Sequence, residues 1–187
     1  MLFLMDSVTR FAMAQRDIGL ALGEPPTTKG YPPSVLTLMP QLMERAGKEE
    51  GKGSITAFFT VLVEGDDLSD PIADQARSIL DGHIVPSRDM TDFGIYPPVH
   101  ILSSASRVMN SVVSKEHLDA ARRFRRMYHI IKENEILVRI GAYTKGSDLE
   151  LDRALDKKSA MEDFLRQDYQ DIVPFEGSKS ALEALVC

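Results

Sequence analysis

The stretch MLFLMDSVTR, residues 1–10, decides the fold class of this chain. Residues 1–5 are continuously apolar, a pattern typical of a strand that is buried on both faces of a parallel sheet. Asp6 follows at the carboxyl end of that strand, which is where α/β proteins place their ligands. A short amino-terminal edge strand is the plainer interpretation of residues 1–5, and the sequence beyond residue 10 has to decide between the two.

Helix and strand patterns alternate after this stretch. Apolar residues recur at helical spacing over residues 7–22, and the Pro/Gly-rich segment 23–33 predicts a loop before a short helix at 34–45. The charged segment 47–53 predicts an exposed turn. Residues 54–63, SITAFFTVLV, are rich in β-branched and aromatic side chains and have no polar face, so they predict a second buried strand.

The alternation continues to about residue 105. Asp70 and Pro71 predict the start of a helix, with the aspartate as its N-cap and the proline at its first position. The segment HIVPS, 83–87, predicts a third short strand, and Pro86 places it at a strand end or a sheet edge. We therefore predict an α/β domain over residues 1–105.

The rest of the chain has helical patterns alone. Apolar positions spaced three or four apart over residues 115–140 predict a helix with a break at Asn134. The tetrapeptide SDLE, 147–150, predicts a capping box whose serine begins a further helix that runs to about Arg166. We therefore predict a helical domain over residues 106–187.

Composition limits the class of protein. The 187 residues are 43% hydrophobic, and 22 Lys and Arg against 28 Asp and Glu give a net charge of −6, which argues against a bulk electrostatic nucleic-acid binder. The single cysteine, Cys187, excludes an internal disulfide framework and a multi-cysteine metal site. No run of about 18 apolar residues exists and the apolar start lacks a basic n-region, so we expect a reduced cytoplasmic protein.

Asp6 is the first candidate for chemistry. A carboxylate at the end of a buried strand can hold Mg²⁺ through water, as the Walker-B aspartate of nucleotide hydrolases does, and an ordinary helix N-cap is the alternative. The Walker-A pattern that should accompany it is absent. The nearest string, AGKEEGKGS at 46–54, has Ala46 at the first glycine position and Gly53 where Ser or Thr is needed, so we interpret it as a solvated turn.

Several longer segments carry a resemblance to a known family. They are LFLMDSVTRFAMAQRDIGLALGEPPTTKGYPPS (2–34), ERAGKEEGKGSITAFFTVLVEGDDLSDPIAD (44–74), GHIVPSRDM (82–90), GIYPPVHILSSASRVMN (94–110) and GAYTKGSDLELDRAL (141–155). The chain resembles the carboxyl-terminal portion of the flagellar and type III secretion export ATPases, which are similar to the catalytic subunits of rotary ATP synthases. PPVHILSSAS, 97–106, fits the signature that rotary ATPase subunits share, and TTKGYPPS resembles the flagellar branch.

The resemblance implies a fold, an activity and cofactors. The fold is a truncated RecA-like α/β core with a parallel sheet, residues 1–105, followed by an all-α domain, residues 106–187. The activity is hydrolysis of ATP with Mg²⁺, coupled to flagellar or type III protein export. The family's β-barrel, Walker-A loop and water-activating glutamate have no match in this sequence, so we expect the isolated chain to be inactive.

The resemblance also implies roles for three charged residues. Asp6 matches the Walker-B aspartate, which orients magnesium-bound water. Arg10 matches an arginine near the phosphates, and a helix-surface charge is the alternative. Arg107 matches the arginine finger that reaches the nucleotide of the neighbouring subunit, and a helix-terminal arginine paired with an acid is the alternative.

Three aromatic residues match positions around the family's nucleotide. Tyr96 matches the ring that stacks on adenine and Phe175 a second adenine-pocket ring from the helical domain, although without the resemblance both would be interpreted as core residues. Tyr31 falls in the loop that faces the phosphates or the central channel. Two positions depart from the family pattern, because His100 replaces the usual aspartate of the signature and Pro86 interrupts a strand that is normally apolar.

The resemblance implies partners and a location as well. They are a homohexameric ring in the cytoplasm, peripheral to the inner-membrane export gate, and contacts with the export apparatus, a regulator, a stalk component and export chaperones. The alternative function is a non-enzymatic fragment that binds chaperones and the stalk component or co-assembles with complete subunits. We do not expect nucleic acid as a partner, because the basic cluster Arg122, Arg123, Arg125 and Arg126 fits the solvated side of one amphipathic helix and has no interleaved aromatic residues.

Overall fold

The computed structural model describes residues 1–51, 53–67 and 69–187. Contacts within the chain group these residues into two compact units, Met1–Asp81 and Gly82–Cys187. The first unit contains, in chain order, β1 (Leu2–Met5), α1 (Val8–Ala21), α2 (Pro33–Met43), β2 (Gly47–Lys48), β3 (Ser54–Phe59) and α3 (Pro71–Ile79). The second unit contains β4 (Gly82–His83), α4 (Arg88–Asp92), β5 (Ala105–Ser106), α5 (Met109–Val112), α6 (Lys115–Glu133), α7 (Glu135–Arg139), α8 (Leu149–Leu165) and α9 (Phe175–Val186).

The boundary between the compact units falls at a different residue from the change in sequence pattern. The first unit ends at Asp81, whereas the pattern changes at about residue 105. Pairing of β4 with β5 joins the two ends of the segment 82–106 and groups it with the helices that follow. The domain boundary between residues 105 and 106 stays a prediction.

The sheet of the first unit has the strand order β1-β3-β2. β1 and β3 are parallel, with Leu2 opposite Thr56 and Met5 opposite Phe59. α1 and α2 lie between these strands in the chain and form the long crossover that a parallel pair needs. Both predicted strands are therefore confirmed, although the second ends at Phe59 and not at residue 63. Their carboxyl ends meet at one edge of the sheet, beside Asp6.

The side chains of β1 and β3 alternate between a covered and an exposed face. Met5 and Phe59 pack against the core that α1, α2 and α3 form. Leu2 and Leu4 are 61% and 69% exposed, and Phe58 is 55% exposed. The prediction of strands buried on both faces is wrong for these residues. A continuous apolar run does not reveal whether other segments of the described chain cover one face of the sheet or both.

The segment predicted as an exposed turn, residues 47–53, begins with a strand. Gly47–Lys48 pairs antiparallel with the start of β3 at the edge of the sheet. Both residues of β2 are exposed, so no buried face marks them as a strand in the sequence. Lys52 of this segment, and Leu68 in the loop before α3, lie outside the described residues.

Helices α1, α2 and α3 form the core of the first unit. Its buried residues are Val8, Ala12, Tyr31, Val35, Met39, Met43, Ile72 and Ala76. Gly19 lets α1 approach the loop before α2, because a Cβ at this position would lie 2.8 Å from Pro32 Cγ. Met39 and Met43 of α2 are almost completely buried, and their unbranched thioether side chains fill irregular space between the three helices.

Asp70 and Pro71 begin α3 as predicted. The Ile72 N–H donates to the Asp70 carboxylate at 2.9 Å, and Pro71 occupies the first helical position. Lys29 Nζ reaches back to this region and donates to Asp67 at 2.6 Å and to Asp70 at 3.5 Å. The hydrogen bond from Lys29 is the main cause that lowers the pKa of Asp67 from 3.8 to about 2.

The third predicted strand is shorter than its sequence suggests. Gly82–His83 pairs antiparallel with Ala105–Ser106, and beyond it Pro86 makes a single bridge to Val99. Proline has no N–H to donate, so the ladder does not continue through Pro86. The expected third strand at residues 83–87 is therefore two residues long and is displaced toward Gly82.

Helix α6 is the centre of the second unit, and α8 and α9 pack against it. The buried residues of this core are Ala120, Phe124, Tyr128, Ile131, Ala154, Met161, Leu182 and Val186. The predicted helix with a break at Asn134 is confirmed, because α6 ends at Glu133 and α7 begins at Glu135. No helix in the described part of the chain is long and apolar enough to span a membrane.

The capping box predicted for α8 is wrong. Asp148 is the N-cap, and its carboxylate accepts hydrogen bonds from the N–H groups of Glu150 at 2.8 Å and Leu151 at 3.1 Å. Ser147 instead donates to the Thr144 carbonyl at 2.7 Å. An aspartate and a serine are both strong N-caps, so the sequence alone left the choice between adjacent residues open.

Candidate functional site

Asp6 lies at the carboxyl end of β1 with its side chain exposed. Its Oδ1 accepts a hydrogen bond from Thr60 Oγ1 at 2.6 Å, and the Thr60 N–H donates to the Met5 carbonyl at 3.0 Å. Thr60 directly follows β3, so the two parallel strands bring these side chains together. Thr60 is a partner that sequence analysis missed, because only the parallel register places it beside residue 6.

Ser7, and not Asp6, caps helix α1. The Ser7 hydroxyl accepts a hydrogen bond from the Arg10 N–H at 3.3 Å, and the peptide bond between Asp6 and Ser7 is cis. The interpretation of Asp6 as an ordinary helix N-cap is therefore wrong. Its carboxylate stays available at the sheet edge, apart from the hydrogen bond that it accepts from Thr60.

Arg10 lies in the first turn of α1, four residues after Asp6. Its side chain is exposed, and its guanidinium forms no ion pair within the described part of the chain. A phosphate-facing arginine and a helix-surface charge would both have this environment. The role near the phosphates stays a prediction.

Tyr31 is buried in the core of the first unit, with 7% of its surface exposed. Its ring packs within 5.6 Å of the Arg16 guanidinium, and burial raises the pKa of its hydroxyl. Thr27 donates to the Tyr31 carbonyl through both its N–H at 2.9 Å and its hydroxyl at 2.6 Å. These contacts give Tyr31 a packing role, and its proposed position facing a nucleotide or a channel stays a prediction.

Tyr96 lies in the loop that follows α4, and 52% of its surface is exposed. Its carbonyl accepts a hydrogen bond from the Gln167 N–H at 2.6 Å, and Arg166 Nε donates to the Gly94 carbonyl at 3.2 Å. The segment that follows α8 therefore holds the Tyr96 loop in place. Sequence analysis missed Arg166 and Gln167, because the pattern of side chains along a sequence does not reveal contacts to backbone carbonyls.

Phe175 begins α9 and is 66% exposed. Its ring lies 5.9 Å from the His117 ring, with an angle of 57° between the planes. No ring contact between Phe175 and Tyr96 is present among the described residues. Both rings are accessible to a ligand, and their joint role around adenine stays a prediction.

Arg107 is exposed and directly follows β5. The pairing of β5 with β4 fixes the backbone before it, with Ser106 opposite Gly82 and Ala105 opposite His83. Gly82 permits this close pairing, because a Cβ there would lie 2.5 Å from the Ala105 carbonyl oxygen. The arginine-finger role of Arg107 stays a prediction.

The basic cluster on α6 is only partly a solvated face. Arg126 pairs with Glu150, and Arg122 lies 3.8 Å from Asp119. Arg125 donates to three backbone carbonyls in the turn that precedes β5. The sequence pattern places these side chains on the exposed side of the helix, and it does not reveal that Arg125 binds another segment.

The donors at Asp6 fit a magnesium ion that keeps most of its water. No group of three or more His, Cys, Asp or Glu side chains that could hold a metal ion occurs among the described residues. Mg²⁺ does not require such a group, because it commonly binds through one or two carboxylates, several waters and the phosphates of a nucleotide. The exposed Asp6 carboxylate, with Thr60 fixing one oxygen, is a donor of that kind.

Comparison with known proteins separates the two parts of the chain. Residues 1–106 match the nucleotide-binding domain of the ATP synthase alpha/beta family. The chain belongs to this family. Residues 113–184 match the carboxyl-terminal domain of the type III secretion ATPase EscN. The predicted fold class, an α/β nucleotide-binding core followed by a helical domain, is thereby confirmed.

Individual relatives are similar over the full length of the chain. The flagellum-specific ATP synthase of Helicobacter pylori (strain J99) is 69% identical over 185 residues, which cover 99% of this chain and 43% of the relative. The assembled ATPase EscN from the type III secretion system of enteropathogenic E. coli superposes with a TM-score of 0.95 at 47% identity, covering 100% of this chain and 45% of that one. EscN in complex with its central stalk EscO gives a TM-score of 0.87 at 46% identity, covering 100% of this chain and 44% of that one.

The chain thus spans less than half the length of each of these three relatives. The resemblance to flagellar and type III export ATPases is confirmed by these relatives. Similarity of whole chains does not assign roles to the individual residues of the site.

Proposed function

We propose that this chain supplies the Walker-B edge and the helical domain of a ring ATPase that hydrolyses magnesium-ATP to support flagellar or type III protein export. The observation that supports this most is Asp6, an exposed carboxylate held by Thr60 where two parallel strands of a nucleotide-binding domain end. The similarity of the chain to a flagellum-specific ATP synthase supports the export part of the proposal.

Each candidate residue contributes a separate task in this proposal. When bound, Mg²⁺ supplies positive charge that offsets charge on the β- and γ-phosphates. Asp6 would hold water of the ion through the carboxylate oxygen that does not bind Thr60, and Arg10, in the first turn of α1, would meet phosphate charge. Arg107 stabilises the transition-state charge in the site of the neighbouring subunit.

The aromatic residues hold the base of the nucleotide. Tyr96 offers an exposed ring on a loop that Gln167 fixes through the backbone, so the ring can stack on adenine without reordering its loop. Phe175 adds a second exposed ring from the start of α9. Tyr31 acts from the core, where its packing against Arg16 shapes the loop before α2.

The same proposal assigns partners. A homohexameric ring gives each Arg107 a neighbouring nucleotide, and EscN, which this chain resembles, has been solved in assembled form and with its central stalk EscO. We extend the proposal to a cytoplasmic ring that meets a stalk component, a regulator and export chaperones beside the membrane export gate.

A second candidate function is a non-enzymatic module that binds such partners or joins rings of complete subunits. The observation that favours it is the absence of a Walker-A pattern in the 187 residues, since that loop supplies most of the phosphate-binding donors. Under both proposals we expect no ATP turnover from the 187 residues alone.

The deciding experiment places residues 1–187 in the matching portion of the Helicobacter pylori relative and measures phosphate release. We expect Arg107→Ala to lower kcat by at least about 10³-fold. Asp6→Asn should lower turnover by about 10–100-fold, the range for residues that act on a metal through its water.

Arg123→Ala serves as the matched control, because it removes one exposed arginine from the surface of α6. It should leave kcat unchanged. Wild-type turnover in both Asp6→Asn and Arg107→Ala would refute the ATPase assignment of this chain's residues. Binding of complete subunits by the 187-residue chain, without any effect of either substitution, would favour the non-enzymatic module.

A further inference from the structure

The turn that precedes β5, residues 100–104, has all of its carbonyl groups bound. Ser104 donates to the His100 carbonyl through its N–H at 3.0 Å and its hydroxyl at 2.9 Å. The Ser103 carbonyl accepts a hydrogen bond from His83 Nε2 at 2.9 Å. The three remaining carbonyls, of Ile101, Leu102 and Ser104, are bound by Arg125.

Arg125 reaches this turn from α6, more than twenty residues along the chain. Its Nη1 donates to the carbonyls of Ile101 at 2.7 Å and Ser104 at 2.9 Å, and its Nη2 donates to Leu102 at 3.2 Å. A guanidinium presents several donors in one rigid plane, so a single side chain can bind three carbonyls of a turn. A lysine ammonium has the same charge and lacks this fixed fork.

The bound turn leads directly to Arg107. Two residues of β5, Ala105 and Ser106, separate them, and both pair with β4. The backbone on the amino-terminal side of Arg107 is therefore held by α6 through Arg125 and by β4 through the ladder. This arrangement limits the positions that the Arg107 backbone can take.

We propose that Arg125 is a positioning residue for Arg107, which fixes the turn at 101–104 and thereby aims the arginine at a neighbouring nucleotide. The inference rests on the proposed ATPase function. Catalysis by a charged group depends on its being held in place before reaction, and small displacements reduce the rate strongly. Arg125 contacts no nucleotide in this proposal and acts only through the turn.

The first test follows amide hydrogen exchange in the 187-residue chain. Arg125→Lys and Arg125→Ala should speed exchange of amides 103–106 by about tenfold or more, the loss expected for one charge-assisted hydrogen bond. Arg123→Ala, on the same helix, should leave those rates unchanged. Unchanged exchange in Arg125→Ala would overturn the proposal without reference to any ATPase activity.

The second test measures ATP turnover in rings that carry residues 1–187 within the Helicobacter pylori relative. Arg125→Lys should lower kcat and leave KM for ATP unchanged, because the finger acts on the transition state and the ATP-binding residues of the same subunit are intact. If Arg107→Ala leaves ATP turnover unchanged, the proposed function fails. If Arg107→Ala removes turnover and Arg125→Lys does not lower it, the function stands and the positioning role fails.

Mixed rings separate positioning from a general loss of structure. Arg107 acts on the nucleotide of the neighbouring subunit in this proposal. An Arg125→Ala subunit keeps Asp6, and an Asp6→Asn subunit keeps a correctly held Arg107, so ATP turnover should return where the two variants lie side by side. Random equal mixing in a head-to-tail ring makes about a quarter of the sites competent, and neither variant alone should show this activity. Failure of the mixture to exceed the two pure variants, with Arg107→Ala rescued by the same partner, would refute a role of Arg125 through Arg107.

Discussion

Gly82→Ala tests whether the close pairing of β4 and β5 depends on the missing side chain. The new Cβ would lie 2.5 Å from the Ala105 carbonyl oxygen and 3.1 Å from Ser106 Cα. Ordinary contact begins at 3.4 Å, so the two strands must separate by about 0.9 Å, the difference between 3.4 and 2.5 Å. Both obstructing atoms belong to the backbone, which cannot rotate away as a side chain can.

The expected cost of this separation is about 1–3 kcal/mol, the range for inserting a group into a packed site. It should appear as a lower free energy of unfolding in urea, followed by circular dichroism. Exchange of the β5 amides should also be faster, because the ladder that protects them is stretched.

Gly177→Ala is the matched control in the same compact unit. Gly177 lies in α9, and its Cβ would meet only Pro174 Cδ at 3.9 Å. Gly177 is the third residue of the helix, where alanine restricts the unfolded chain more than glycine does, so this variant should be at least as stable as wild type. A Gly82→Ala protein as stable as wild type would refute the steric argument for β4 and β5.

Three further predictions concern charge, capping and the core. Lys29→Met should raise the pKa of Asp67 from about 2 toward 3.8, as measured by carboxyl ¹³C titration. Because the pKa of Asp67 is depressed in the folded chain, its contribution to stability is present above pH 3.8 and is lost as the pH falls toward 2. An unchanged pKa of Asp67 in the variant would contradict the ion pair. Asp148→Ala should cost about 1 kcal/mol in urea unfolding through the lost N-cap, and Ser147→Ala should cost less; the reverse order would restore the capping-box prediction. Phe124→Ala should cost about 3–5 kcal/mol because its ring is buried in the core of the second unit, and a loss below 1 kcal/mol would show that this core can collapse around the gap.

Local signals in the sequence predicted many of the elements. The N-cap at Asp70 and the break at Asn134 are each determined by a few neighbouring residues, and both are confirmed. The two strands of the parallel pair were each predicted from an apolar run. In these cases the information lies within one element or its flanks.

The remaining features depend on segments far apart in the chain. Exposure of Leu2 and Leu4 depends on which face the helices cover, and the run of apolar letters carries no sign of that. Thr60 meets Asp6 only through the register of β1 with β3. Arg125 has the same helical position as any solvated arginine, and its partners are carbonyl groups, which every residue type possesses.

Asp6 was a candidate from its position after an apolar strand, and the arginine candidates came from the family resemblance. The structure adds the surroundings of each. Asp6 gains a hydrogen-bond partner and loses the N-cap explanation. Tyr31 and Tyr96 are the same residue type in different environments. Tyr31 is buried in the core, whereas Tyr96 is half exposed. Packing of this kind is decided by tertiary contacts that no single-sequence pattern contains.

The methionines of the two cores give each unit an internal chemical reporter. Met39 and Met43 in the first unit, and Met161 in the second, are at most 2% exposed, whereas Met1 is 76% exposed. Oxidation to the sulfoxide requires access to the sulfur and converts an apolar side chain into a polar one. A mild oxidant therefore modifies Met1 in the folded chain and reaches each core only when that core opens. Mass spectrometry of the sulfoxides would then give the opening rates of the two units separately. A methionine sulfoxide formed inside a core is polar, so it would keep that core from closing again.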